Sequence, residues 1–143
     1  MFLGEYQYSI DDKKRLALPV KFRLALGKKA VITRGLDNCL ILYPMKDWQI
    51  EAEKYSKLPV SQADARGFAR IMLAGAMEVS IDALGRILMP DYLKEYAGLS
   101  KKTIIAGLFN RIEIWDEVKW NAYKEQTEKE AGNIAERLKE LGV

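Results

Sequence analysis

The chain has 143 residues, with 23 lysines and arginines against 20 aspartates and glutamates, a net charge of +3, one cysteine and no histidine. Without histidine the Ser-His and Cys-His nucleophile systems and the usual zinc sites are absent, and a single cysteine leaves no internal disulfide. With no apolar run of membrane-spanning length and no basic start of a secretory signal, the sequence predicts a soluble intracellular protein that is not an enzyme and holds no cofactor or metal.

From the amino end, Tyr6, Tyr8 and Ile10 alternate with Gln7 and Ser9, the period of two of a half-buried strand. The phrase Ser9-Ile10-Asp11-Asp12-Lys13-Lys14-Arg15-Leu16-Ala17-Leu18-Pro19 then places a short loop before a second strand starting at Leu16. Pro19 stands where a helix can start and Gly27 where it can stop, which predicts a helix of about two turns. Val31-Ile32-Thr33 and Leu40 to Tyr43, joined through Gly35 to Asn38, read as a hairpin in which Cys39 is a buried, inert thiol. Pro44 can open a helix presenting Trp48, Ala52 and Tyr55. Ser61-Gln62-Ala63-Asp64 has the form of a capping box ahead of Phe68, Ile71 and Met72, with Gly75 as the stop.

The chain then repeats itself. Ser80-Ile81-Asp82-Ala83-Leu84-Gly85-Arg86-Ile87-Leu88-Met89-Pro90 restates the first phrase, with Met77, Val79 and Ile81 in the places of Tyr6, Tyr8 and Ile10. Gly98 matches Gly27, and after one residue of slippage a hairpin turning through Gly107 to Asn110 matches the earlier one, with Trp115 for Tyr43 and Trp120 for Trp48. Asp116 can cap a last helix with Trp120 and Tyr123 on one face, continued by Ile134, Leu138 and Leu141. Each copy is too short to bury a core alone, so the duplication predicts a single shared core. The expected organisation is a first repeat over 5–47, a helical insert over 48–75, a second repeat over 76–119 and a C-terminal helix over 120–143. The fold class is α+β, mainly β.

One acid and one arginine recur in each copy, Asp11 with Arg15 and Asp82 with Arg86, at either end of an exposed three-residue loop. A carboxylate there can accept backbone N–H groups two or three residues on and close the turn. The arginine at the exit carries a planar fork of donors that matches phosphate oxygens or the O6 and N7 of guanine. Two readings follow, a pair of DNA-reading loops or an ion pair that only holds each loop. Charge is also uneven along the chain: residues 1–35 carry Lys13, Lys14, Arg15, Lys21, Arg23, Lys28, Lys29 and Arg34 against Glu5, Asp11 and Asp12, while the stretch from Glu113 onward leans acidic. Such a bias suits a surface that meets phosphate.

The opening Met1-Phe2-Leu3-Gly4-Glu5-Tyr6, the two Asp-x-x-x-Arg loops, Phe22-Arg23, Thr33-Arg34-Gly35-Leu36-Asp37, Tyr43-Pro44-Met45, Asp64-Ala65-Arg66 and Asn110-Arg111-Ile112-Glu113-Ile114-Trp115 together resemble the MraZ family over essentially the whole chain. The resemblance implies two fused SpoVT/AbrB-like swapped-hairpin units forming one double-lobed sheet core. It also implies a cytoplasmic, nucleoid-associated transcription regulator that assembles into ring-like homo-oligomers and binds short repeats in promoter DNA upstream of the division and cell-wall (mra/dcw) gene cluster. Carried over by position, Arg15 and Arg86 become the DNA-contacting arginines, Asp11 and Asp82 their loop-setting partners, and Lys13 and Lys14 added charge toward the phosphates. The first loop of the family usually reads Asp-x-Lys-Gly-Arg; here Lys14 stands at the glycine position that Gly85 keeps in the second copy. If that position needs positive φ, Lys14 carries strain of about 1–2 kcal/mol. The alternative to a DNA-binding regulator is an antitoxin-like interaction module, which would carry a disordered C-terminal tail rather than the helical spacing seen after Trp120.

Overall fold

The computed structural model describes residues 1–143. The first repeat folds as β1 (Phe2–Ser9), β2 (Arg15–Ala17), α1 (Val20–Leu26), β3 (Lys29–Arg34) and β4 (Leu40–Pro44). The insert contributes α2 (Met45–Ser56) and α3 (Ala63–Ala69), the latter running into a π-helical turn over Arg70–Ala74. The second repeat gives β5 (Met77–Ser80), β6 (Arg86–Leu88), α4 (Asp91–Tyr96), β7 (Lys102–Phe109) and β8 (Ile112–Asp116), followed by α5 (Glu117–Arg137) and a 3₁₀ turn at Lys139–Leu141.

The repeats are interleaved rather than side by side. The large antiparallel sheet has the order β1-β7-β8-β4-β3-β5, and a second, two-stranded sheet pairs β2 with β6. Thus the first strand of each copy lies on the hairpin of the other, β1 on β7 and β5 on β3. Exchanging the copies reverses the strand order without changing it, so the molecule has an internal two-fold axis. That axis runs between the paired residues Ile41 and Glu113 at the centre of the sheet and between Leu16 and Ile87 at the centre of the β2–β6 ribbon.

One core serves both repeats. A single cluster of 19 buried residues takes ten from the first copy, including Leu16, Leu18 and Phe22, and nine from the second, including the matched Ile87, Met89 and Leu93. Phe22 of α1 meets Phe2 and Tyr6 of β1 edge-on at 5.1 and 5.3 Å between ring centroids. Helices hold more residues than strands, yet α2, α3 and α5 bury none of their own side chains fully, so the core is drawn mainly from the strands, with Phe22 and Leu26 of α1 and Leu93 of α4. No helix is long and apolar enough to cross a membrane.

Local sequence rules account for most boundaries. Pro19 and Pro90 stand at the N-caps of α1 and α4, one position before the first helical residue, and Gly27 ends α1 at a positive φ of 74°. Asp116 caps α5 by accepting the Lys119 N–H, and it also holds the Ser100 N–H and hydroxyl.

Two expectations shift. The capping box at Ser61 does not form: the N-cap of α3 is Gln62, in an extended conformation without a side-chain bond. The second hairpin turns later than the glycine suggested, because β7 continues to Phe109 so that Leu3 and Gly4 of β1 can pair with Leu108 and Gly107. A side chain at Gly107 would run into the backbone of Phe2 and Leu3.

The matched tryptophans are engaged within the chain. Trp48 packs on Tyr43 at 5.7 Å and Trp120 on Trp115 at 5.4 Å, so the repeat extends from the last strand into the helix after it.

Candidate nucleic-acid interface

Each Asp-x-x-x-Arg phrase is a hairpin loop of one geometry. In the first, the Lys14 N–H donates to the Asp11 carbonyl and the Asp11 N–H to the Arg15 carbonyl, both at 2.9 Å. In the second, Gly85 donates to Asp82 and Asp82 to Arg86 at the same distances. This is a turn closed over three residues whose last member takes the left-handed conformation. Lys14 lies at φ 62° and Gly85 at φ 76°. The lysine therefore occupies a backbone conformation that costs a residue with a Cβ about 1–2 kcal/mol.

The aspartates tie these loops. Asp11 Oδ1 accepts the N–H groups of Lys13 and Arg15, and its Oδ2 accepts Arg15 Nε at 2.8 Å. Asp82 repeats the pattern with Leu84 and Arg86. The backbone N–H of Arg15, reinforced by its side chain, holds the Asp11 carboxyl below the ordinary 3.8, and Arg86 does the same for Asp82. Each carboxylate is thus fully ionised at neutral pH. Each arginine spends only Nε on its aspartate, so both Nη groups of Arg15 and of Arg86 remain free to donate outward.

The ribbon decides where these forks point. Along β2, Arg15 and Ala17 alternate with Leu16, and along β6, Arg86 and Leu88 alternate with Ile87; Leu16 and Ile87 are 0% exposed. Side chains alternate between the faces of a strand, so both arginines stand on the outer face, opposite the core. Arg15 pairs with Leu88 and Arg86 with Ala17, which makes the arginines diagonal neighbours, about 7–8 Å apart at Cα by strand geometry. The ribbon is locked on both sides by reciprocal bonds: the Leu18 N–H donates to the Gly85 carbonyl and the Met89 N–H to the Lys14 carbonyl.

Around the ribbon lie basic side chains. Lys13 is exposed at the tip of the first loop, while Lys14 Nζ reaches Asp91 at 2.6 Å. Arg23 of α1 and Lys28 stand beside the second loop. In the sequence both are only part of the basic bias of residues 1–35; nothing in one dimension says that α1 of one copy lies against the loop of the other.

Away from this face, Cys39 is buried with its thiol pushed up to about 12, chiefly by burial. A cavity of about 280 Å³ lies between the insert and the sheet, bounded by Tyr43, Tyr55, Phe68 and Arg111.

Interleaved repeats that share one core and present one Asp–Arg loop each define a tandem swapped-hairpin protein. A family model described as "MraZ protein, putative antitoxin-like" matches the chain twice, over residues 1–71 and 72–141. A Natranaerobius thermophilus protein called Transcriptional regulator MraZ is 46% identical over 143 residues, covering 100% of each chain. Proteins of the same name from Syntrophomonas wolfei subsp. wolfei and Desulforamulus reducens are 46% identical over 143 residues and 44% over 141, covering 100% and 99% of each chain. The chain belongs to the MraZ family, a family of regulators rather than enzymes.

Proposed function

We propose that this chain regulates transcription by binding double-stranded promoter DNA, with the β2–β6 ribbon laid in the major groove and Arg15 and Arg86 reading base edges. The observation that carries this is the pair of free guanidinium forks on one outward face, each aimed by an aspartate and backed by a rigid core. The major groove, about 12 Å wide, admits a two-stranded ribbon, and an arginine bonded only through Nε keeps the two-pronged donor set that fits guanine O6 and N7. Lys13 adds phosphate attraction at the loop tip, and Lys14 does so when it leaves Asp91.

The sites are short repeats upstream of the division and cell-wall gene cluster, and the working form is a ring-like homo-oligomer in the cytoplasm, associated with the nucleoid. The resemblance to the family supports these parts of the reading, while the names of its relatives support the coarser one, regulation of transcription. The antitoxin-like reading is favoured only by the wording of the family description. Against it stands α5, a continuous helix of 21 residues where a partner-wrapping tail would be extended.

The test is binding of a labelled promoter duplex at two salt concentrations. Arg15→Ala or Arg86→Ala should each weaken specific binding by about 1–3 kcal/mol and relax sequence preference, whereas Lys13→Ala should weaken all sequences alike. Unchanged affinity in both arginine variants would remove these loops from the interface.

A further inference from the structure

The internal two-fold axis poses a problem for recognition: a symmetric ribbon would fit a DNA site equally well in either direction. Only residues that differ between the copies can choose. The sharpest difference is at the left-handed loop position, glycine in one copy and lysine in the other, and it is coupled to a second exchange nearby.

We propose that the Gly85 side of the ribbon holds a DNA-backbone phosphate in a site made by Arg23 and Lys28, that the Lys14 side has no equal, and that this difference fixes the direction of binding. The inference rests on the DNA-binding reading above. Gly85 lacks a side chain, and the Arg23 guanidinium fills the vacated space; a Cβ at Gly85 would collide with its Nε and Cζ. Arg23 Nε donates to the Leu18 carbonyl at 3.0 Å, which fixes the plane of the fork. Its Nη groups have no carboxylate partner, nor has the Lys28 ammonium.

Both cations line a cleft of about 580 Å³ that opens beside Asp82 and Gly85. The charge of Asp82 is balanced by Arg86, whose Nε lies 2.8 Å from its Oδ2. Lys29, in the same cleft, is engaged with Glu78 at 3.1 Å. An anchored arginine with a free fork suits two phosphate oxygens at once, whereas a lysine offers a mobile point charge.

The mate of this cleft, across the axis, is smaller at about 300 Å³. There Lys94 stands in the place of Arg23, and Asp12 in the place of Ala83 adds a carboxylate. The side chain of Lys14 occupies what Gly85 leaves open, and its ammonium is held by Asp91 at 2.6 Å. The second side therefore keeps charge but has no planar fork and one more negative group.

Anisotropy titrations of the full chain with a one-repeat promoter duplex and a scrambled duplex, over a series of salt concentrations, test this. Arg23→Gln should weaken both duplexes alike by about tenfold and lower the slope of log K against log salt by about 0.9, the loss of one phosphate contact. Lys94→Gln should do less on both measures. Arg23→Lys should keep most of the slope but not the affinity. Ethylation interference on the one-repeat duplex should be lopsided for the wild type and even out for the double variant Lys14→Gly/Lys94→Arg. Melting temperatures separate any loss of fold. Wild-type slope and affinity in Arg23→Gln, or equal losses in Arg23→Gln and Lys94→Gln, would overturn the proposal while Arg15→Ala still relaxed sequence preference. Were Arg15→Ala and Arg86→Ala also silent, the DNA-binding reading itself would fail, and this site with it.

Discussion

Lys14 takes the left-handed loop position that Gly85 holds in the second copy. Its φ of 62° is the conformation that glycine adopts freely, so Lys14→Gly should relieve strain while giving up an exposed ion pair to Asp91 and adding unfolded-state freedom. The balance favours the variant by roughly a few tenths of a kcal/mol, read as a slightly higher melting temperature. The depressed carboxyls of Asp11 and Asp82 give a pH dependence with a definite sign. Because the folded value lies below the ordinary 3.8, their contribution is complete above about pH 4 and is lost as pH falls through the folded values. Loop order, followed by the amide resonances of Lys13 and Leu84, should therefore hold from pH 8 to pH 5 and collapse in stronger acid; Asp82→Asn should weaken the second loop at neutral pH and remove its acid transition. Cys39, with its thiol near 12 and no exposed surface, should resist iodoacetamide at pH 8 until the chain is unfolded.

Among the elements, the strands and the two short helices could be read from period and punctuation, because proline, glycine and alternating apolar residues act locally. The loop phrases were equally plain, since duplication marked them. What single-strand patterns could not supply was partner choice: Tyr6-Gln7-Tyr8 carries nothing that selects β7 over β3, and only the resemblance to a known family pointed to the exchange. The π-helical turn at Arg70–Ala74 was also invisible, because one extra residue per turn leaves no periodic trace over five positions. It ends at Gly75, where the carbonyl accepts the Tyr92 hydroxyl and where a side chain would strike Arg34, itself 5.7 and 5.5 Å above the rings of Tyr92 and Tyr96. The late turn of the second hairpin has a similar origin, in a tertiary demand by β1. Gly107→Ala should lever β1 from the sheet edge and cost about 1–3 kcal/mol, detected as a lower midpoint in urea.

For the whole molecule the arginines sit about 7–8 Å apart on one ribbon, enough for only a few base pairs, and so few phosphate contacts give modest affinity at physiological salt. Occupancy of a promoter by the proposed ring would then depend on several chains engaging successive repeats on one side of the duplex. Inserting about five base pairs between repeats should cut affinity far more than inserting about ten, because half a helical turn carries the next site to the opposite side. Equal losses from both insertions would refute this arrangement.

The pairing of β1 with β7 sets Phe2 against Phe109, so the first strand to leave the ribosome finds its partner only after most of the chain has been made. Until then β1 has no partner strand, and β3, though already hairpinned to β4, waits for β5. The first repeat cannot finish folding during its own synthesis; it is completed by the second. The nascent chain should stay protease-sensitive until β8, which joins β7 to β4, clears the exit tunnel, then become resistant in one step rather than two. An interlocked duplication thus trades stepwise folding on the ribosome for a single late commitment.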